Sequence, residues 1–143
     1  MDMALCLARQ GAEAGETPVG ALVVGAGGRV LAEARNTPIG LADPTAHAEI
    51  LALRAAGTAL GNYRLKGCSL VVTLEPCPMC AAALVHARID GLVFGAADIL
   101  AGAVISHTEY LDMPACHKIW HMGGVRAQDC ADLLRDFFAE RRR

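Results

Sequence analysis

Residues 68–80 read Cys68-Ser69-Leu70-Val71-Val72-Thr73-Leu74-Glu75-Pro76-Cys77-Pro78-Met79-Cys80. The first seven form a short, nearly continuous apolar run rich in β-branched residues, as expected of a strand covered on both faces. This run is predicted to lie centrally in a sheet. Pro78, with its fixed φ and missing N–H, suits the first position of a helix, predicted over Pro78 to Ala87. A second apolar run, Gly91 to Gly95, supplies the next strand, so the stretch is a β-α-β unit.

Upstream, Ala46 to Leu60 has helical composition, with Asp43 or Thr45 available as its cap. Asn36 to Pro44, punctuated by Pro38, Gly40 and Pro44, is predicted to be a loop. Val19 to Val24 and Arg29 to Ala34 flank Gly25-Ala26-Gly27-Gly28 and predict an antiparallel hairpin. Ala4, Leu5, Ala8 and Ala12 recur at helical spacing within Met1 to Ala14, and Gly15 closes that helix. Downstream, Gly102 to Trp120 shows no clear pattern, and Ala127 to Arg141 predicts a terminal amphipathic helix. Alternating α and β units after a hairpin imply a mixed sheet with helices on both faces, a three-layer α/β/α architecture.

Composition agrees with one folded domain over residues 1–143. The chain is 54% apolar and 20% charged, with 15 glycines and 6 prolines spread along it, which excludes a disordered protein. Aromatic residues are only 4%, so the core is built from small aliphatics that allow close helix-on-sheet packing. No run approaches the roughly 20 apolar residues that span a bilayer, and Met1 onward lacks the basic flank and cleavage site of an export signal. A soluble, cytoplasmic protein is expected. In that compartment six cysteines read as thiols or metal ligands, not disulfides.

Their spacing singles out two. Cys77 and Cys80 follow His47-Ala48-Glu49 by about thirty positions. One histidine and two cysteines are three zinc ligands, and a three-ligand set leaves the fourth tetrahedral position open, as catalytic sites require. Successive helical residues advance about 100°, so in mid-helix His47 and Glu49 would point about 200° apart. They converge only if His47 sits at a helix start, where the turn residues Asp43-Pro44-Thr45 put it. By the same geometry Pro78 places Cys77 at a cap and Cys80 in the first turn, where the helix dipole favours thiolates. Glu49 is then a carboxylate placed to shuttle protons beside the metal. Cys-x-x-Cys alone would also suit a redox dithiol, but the upstream His-x-Glu counts against it. His86 and Cys68 are poorly placed as a fourth ligand. Cys6, Cys116 and Cys130 read as small, buried or half-buried fillers, and His107, His117 and His121 as surface or hydrogen-bonded histidines.

His-x-Glu followed by Pro-Cys-x-x-Cys resembles the zinc deaminase signature of the cytidine deaminase-like superfamily. The resemblance extends in order and spacing through Glu16 to Ala21, Asn36 to Gly40, Asp43 to Glu49, Thr73 to Cys80 and Asp136 to Phe138, and is to the bacterial tRNA-specific adenosine deaminases. It implies a mixed five-stranded sheet, Zn²⁺ as cofactor on His47, Cys77 and Cys80, and Glu49 as proton shuttle. It further implies hydrolysis of adenosine to inosine at the wobble position of a tRNA anticodon arm by a homodimer. Asn36 would hydrogen-bond the flipped base and ribose, Val19 and Leu74 would line the base pocket, Asp98 would lie beside the strand backbone, and Phe138 would touch the substrate loop. Read without the resemblance, Val19, Leu74 and Phe138 are core residues.

The chain departs from that pattern where a basic residue is expected near Ala97 or Leu100, since Ala97-Asp98-Ile99-Leu100-Ala101 stands there. Deaminases of free guanine or cytosine share the zinc motif and differ mainly in the C-terminal third, so they are the alternative. The net charge of -2 does not by itself suggest a nucleic-acid partner. Arg135, Arg141, Arg142 and Arg143 nevertheless gather beside Phe137-Phe138, a combination that suits stacked bases or else a solvated helix end. The apolar first helix and the unpatterned segment are the candidates for covering a dimer interface.

Overall fold

A computed structural model describes all 143 residues. The elements run α1 (Asp2–Glu13), β1 (Gly20–Val24), β2 (Val30–Arg35), α2 (Pro38–Leu41), α3 (Ala48–Leu60), β3 (Ser69–Leu74), α4 (Pro78–His86), β4 (Gly91–Ala96), β5 (Trp120–Met122) and α5 (Ala127–Arg141). The strands form one sheet in the order β2-β1-β3-β4-β5. β1 pairs antiparallel with both β2 and β3, whereas β3–β4 and β4–β5 are parallel. The apolar run that opens the sequence argument is thus the middle strand of a mixed five-stranded sheet.

Helices cover both faces. α3 and α4 bury Ala48, Ala52, Leu53, Ala56, Ala81 and Leu84 against Val23, Leu70, Val72, Leu92 and Phe94 in the main core. α1 and α5 cover the other face, where Leu5, Cys130 and Ala96 meet. The small residues set how close α1 can come: a Cβ on Gly20 would overlap the Ala4 carbonyl oxygen and crowd the Ala8 amide. Ala4, Leu5, Ala8 and Gly11 are buried on the chain's own sheet. The apolar face of α1 is therefore spent inside the fold and is not free to cover a partner.

Five expectations need correcting. The Asn36 to Pro44 loop contains the short helix α2, because Pro38 opens it and the buried Glu16 carboxylate accepts the N–H groups of Ile39 and Gly40 at 3.3 and 2.7 Å. α3 starts at Ala48 and not at Ala46, with His47 as its N-cap residue. Asp43 does not cap it; its Oδ1 accepts from the Thr45 amide and hydroxyl, tightening the preceding turn. The unpatterned segment ends in β5, three residues whose partner β4 supplies the pairing that so short a run cannot announce. Cys6 is exposed, whereas Cys116 is half-buried and Cys130 buried as expected.

Candidate active site

Two helix starts face each other beyond the sheet. The residue before α3 is His47 and the residue before α4 is Cys77, both extended in backbone, with Pro78 at the first helical position and Cys80 in the first turn. The backbone turns at these caps aim one imidazole and two thiols at one point. His47 Nδ1 lies 3.6 Å from Cys77 Sγ and 3.6 Å from Cys80 Sγ. A tetrahedral zinc with Zn–S of about 2.3 Å and Zn–N of about 2.0 Å has N···S edges of about 3.5 Å. The donor set therefore fits Zn²⁺ in both chemistry and spacing, and His47, Cys77 and Cys80 are the one group of donors in the chain arranged to hold a metal ion.

Charge in the group is arranged as a cation site. The Cys77 thiol is held down to about 4, chiefly by the hydrogen bond from Cys80 and then by His47. The Cys80 thiol is pushed far up, first because it donates that proton to Cys77 and then by burial. His47 is raised by its hydrogen bond to Cys77. A thiolate at Cys77 is the form in which a cysteine binds a metal ion. Glu49, 4% exposed, is not among the mutually close donors. Burial pushes its carboxyl up to about 7, the range in which a carboxyl both accepts and returns protons near neutral pH.

A cavity of about 310 Å³ opens beside these groups, lined by Thr17, Val19, Asn36, Pro38, His47, Glu49, Leu74, Glu75, Cys77, Asp98 and Ala101. The four substrate-pocket expectations Val19, Asn36, Leu74 and Asp98 all meet there. Asn36 is 8% exposed, and its Oδ1 accepts the Ala48 N–H at 2.8 Å. Its acceptor is thereby committed to capping α3, and its amide nitrogen is the group left for a ligand. Phe138 does not line the cavity: it sits on α5, 46% exposed, its ring edge-on to that of buried Phe137.

The histidines outside the site have ordinary roles, His117 donating to the Ile89 carbonyl and His121 lying near Asp112. The arginine cluster is largely committed. Arg135 pairs with Asp132 and Asp136, and Arg141 donates to the Gly15 carbonyl while lying over the Phe137 ring. Sequence reasoning missed Glu75, Thr17, Pro38 and Ala101 as cavity residues. For Glu75 the available signal was a carboxylate set between a buried strand and a metal-ligand motif.

Residues 1–96 match the model of the cytidine and deoxycytidylate deaminase zinc-binding region. The chain is 46% identical to the tRNA-specific adenosine deaminase of Agrobacterium fabrum, over 99% of this chain and 93% of that protein. It is 51% identical, over 99% of its own length, to part of the tRNA(Ile)-lysidine synthase of Deinococcus deserti, of which it spans 27%. Among solved structures, one from a study of A-to-I editing by tRNA:A34 deaminases at the wobble position of transfer RNA superposes with a TM-score of 0.90. It is 45% identical, and the match covers 94% of this chain and 97% of that one.

Proposed function

Because the chain belongs to the cytidine and deoxycytidylate deaminase zinc-binding family, we propose that residues 1–143 form one zinc-dependent domain that hydrolytically deaminates adenosine to inosine at the tRNA wobble position. The observation that carries the chemistry is the convergence of His47, Cys77 and Cys80 beside the buried carboxylate of Glu49 in a cavity large enough for a base. Near-full-length similarity to a tRNA-specific adenosine deaminase supports the substrate.

Zn²⁺ held by His47, Cys77 and Cys80 would supply the nucleophile by acidifying water toward neutrality. Glu49 accepts that water's proton as oxygen attacks the purine carbon bearing the amino group, and delivers it to the adjacent ring nitrogen. A second transfer through Glu49 protonates the amine. The carbon–nitrogen bond then breaks, releasing ammonia and leaving the carbonyl of inosine. Asn36, held by its bond to Ala48, presents N–H to an acceptor on the base or ribose, while Val19 and Leu74 supply apolar walls. Asp98 lies at the rim beside the strand's backbone. Phe138 reaches the substrate loop from outside the cavity.

Homodimerisation is part of the proposal. An open groove of about 780 Å³ runs between α3 and α4, lined by Ile50, Leu53, Gly57, Ala83 and Ala87 among others, and a second copy is its proposed occupant. No helix is long and apolar enough to cross a membrane. The deciding experiment incubates the purified protein with a tRNA anticodon stem-loop carrying wobble adenosine and, in parallel, with free adenine, guanine and cytosine. Inosine formed in the stem-loop alone supports the reading; turnover of a free base alone overturns it. Sedimentation of the same sample checks the dimer.

A further inference from the structure

The strongest polar cluster outside the metal group is built on Glu75. This side chain is 2% exposed, yet both carboxylate oxygens are used. Oε1 accepts the N–H groups of Val104, Ile105 and Ser106 at 3.1, 2.8 and 2.9 Å. Oε2 accepts the Asp98 N–H at 3.0 Å and the Ser106 hydroxyl. One carboxylate thus ties together both ends of an irregular segment, residues 98–106, whose middle is anchored in the main core by buried Ala103 and Val104. Ala103 adds a bond from its N–H to the Pro76 carbonyl at 2.8 Å, and Asp98 Oδ1 accepts from Leu100 and Ala101 at 3.1 Å each. Gly102 lies so close that a Cβ there would overlap the Glu75 carboxylate and the Asp98 carbonyl oxygen.

The segment held in this way forms part of the cavity wall through Asp98 and Ala101. Between those residues project Ile99 and Leu100, 79% and 83% exposed. Glu75 itself stands between Leu74, another wall residue, and the Pro76-Cys77 step that carries a metal donor. All five of its partners are N–H or O–H donors, so the carboxylate acts as an acceptor only.

We propose that Glu75 is a positioning residue that fixes residues 98–106 as the substrate-facing wall of the cavity, coupling that wall to the metal-bearing segment. Its effect falls on substrate binding and not on zinc or on proton transfer. The part concerning substrate rests on the deaminase reading above, whereas the part concerning the loop does not.

Glu75→Gln replaces one oxygen by an NH₂ group, which cannot accept the Asp98 N–H. Gly102→Ala leaves the carboxylate in place and pushes the loop off it, and serves where the first variant folds poorly. Both are compared with the wild type by amide hydrogen exchange, metal analysis and steady-state kinetics on the anticodon stem-loop. Exchange at Asp98 and Val104 to Ser106 should rise on the order of tenfold or more, with β3 and β4 unchanged and one zinc per chain retained. KM should rise by a similar factor while kcat stays within about threefold. Unchanged exchange at those amides, loss of zinc, or faster exchange with unchanged KM would each overturn the proposal. A wild-type protein that deaminates nothing overturns the functional reading instead, and the exchange data still decide whether Glu75 holds the loop.

Discussion

Asn36 caps α3 and, under the proposed function, also binds substrate, and the two roles can be separated by substitution. Its Oδ1 caps the buried Ala48 N–H at 2.8 Å, twelve residues along the chain, while its amide nitrogen is free toward the cavity. Asn36→Ala removes both groups. Losing that cap leaves the buried Ala48 N–H without its acceptor, one loss of about 2 kcal/mol. For a domain of this size each kcal/mol moves Tm by about 4 °C, so a fall of about 8 °C is expected. Asn36→Asp retains the acceptor and places an anion at a helix N-terminus, which the dipole favours, so its Tm should fall less. Neither variant offers an N–H to substrate. Both should lose about 1–3 kcal/mol of transition-state binding, or roughly tenfold to 200-fold in kcat/KM on the anticodon stem-loop. Thermal melts and kinetics together test the division. An unchanged Tm for Asn36→Ala refutes the cap, and wild-type kcat/KM for Asn36→Asp refutes the donor.

Three further outcomes are expected. Glu49→Ala should keep one zinc per chain and lose on the order of 10²-fold to 10⁴-fold in turnover, whereas Cys80→Ala should lose zinc and thermal stability; metal analysis and activity assays separate the two. Deleting Arg142 and Arg143 should weaken stem-loop binding and flatten its salt dependence without lowering Tm, while extending the deletion to Arg141 should also lower Tm, because Arg141 ties α5 to Gly15. Leu100→Lys, restoring a cation beside the cavity, should tighten stem-loop binding and steepen the slope of log K against log salt by about 0.7 to 0.9, as read in a salt titration.

What sequence reading captured was set by neighbours in the chain. The central strand, the Pro78 helix start and the convergence of His47 with Glu49 follow from runs, ring constraints and angular spacing within a few residues, and the structure has all three. The limits of α5 at Ala127 and Arg141 also stand as expected. What it missed was set at a distance. α2 forms where Glu16, more than twenty residues earlier, supplies acceptors for its amides. The start of α3 is capped by Asn36 and not by the adjacent Asp43 or Thr45. The partners of Glu75 lie 23 to 31 residues further on. No local pattern encodes those pairings. Similarly, the four C-terminal arginines look alike in sequence, and only the packing of α5 on α1 tells Arg141 from Arg142.

The same distinction separates reaction from substrate. Reactive groups come from two helix starts, so motif spacing fixes them. Specificity comes from the walls, and one wall is a loop whose shape is held by a buried carboxylate. Charge narrows what those walls accept. Glu49, Glu75 and Asp98 line the cavity, and the zinc ligand His47 is its one basic side chain. With the charge of a bound Zn²⁺ balanced by the Cys77 and Cys80 thiolates, the carboxylates of Glu75 and Asp98 leave the cavity net negative, which disfavours a phosphate. The cavity is therefore suited to a neutral base, with phosphates left outside it. For a polynucleotide this means the reacting base must be turned out of its stack, as enzymes acting on bases require, while affinity comes from cations beyond the rim. Arg142 and Arg143 make no ion pair and, under the proposed function, are the cations available for that role. The exposed Ile99 and Leu100 present an apolar surface beside the cavity, which, under the proposed function, suits contact with neighbouring bases and not with a phosphate.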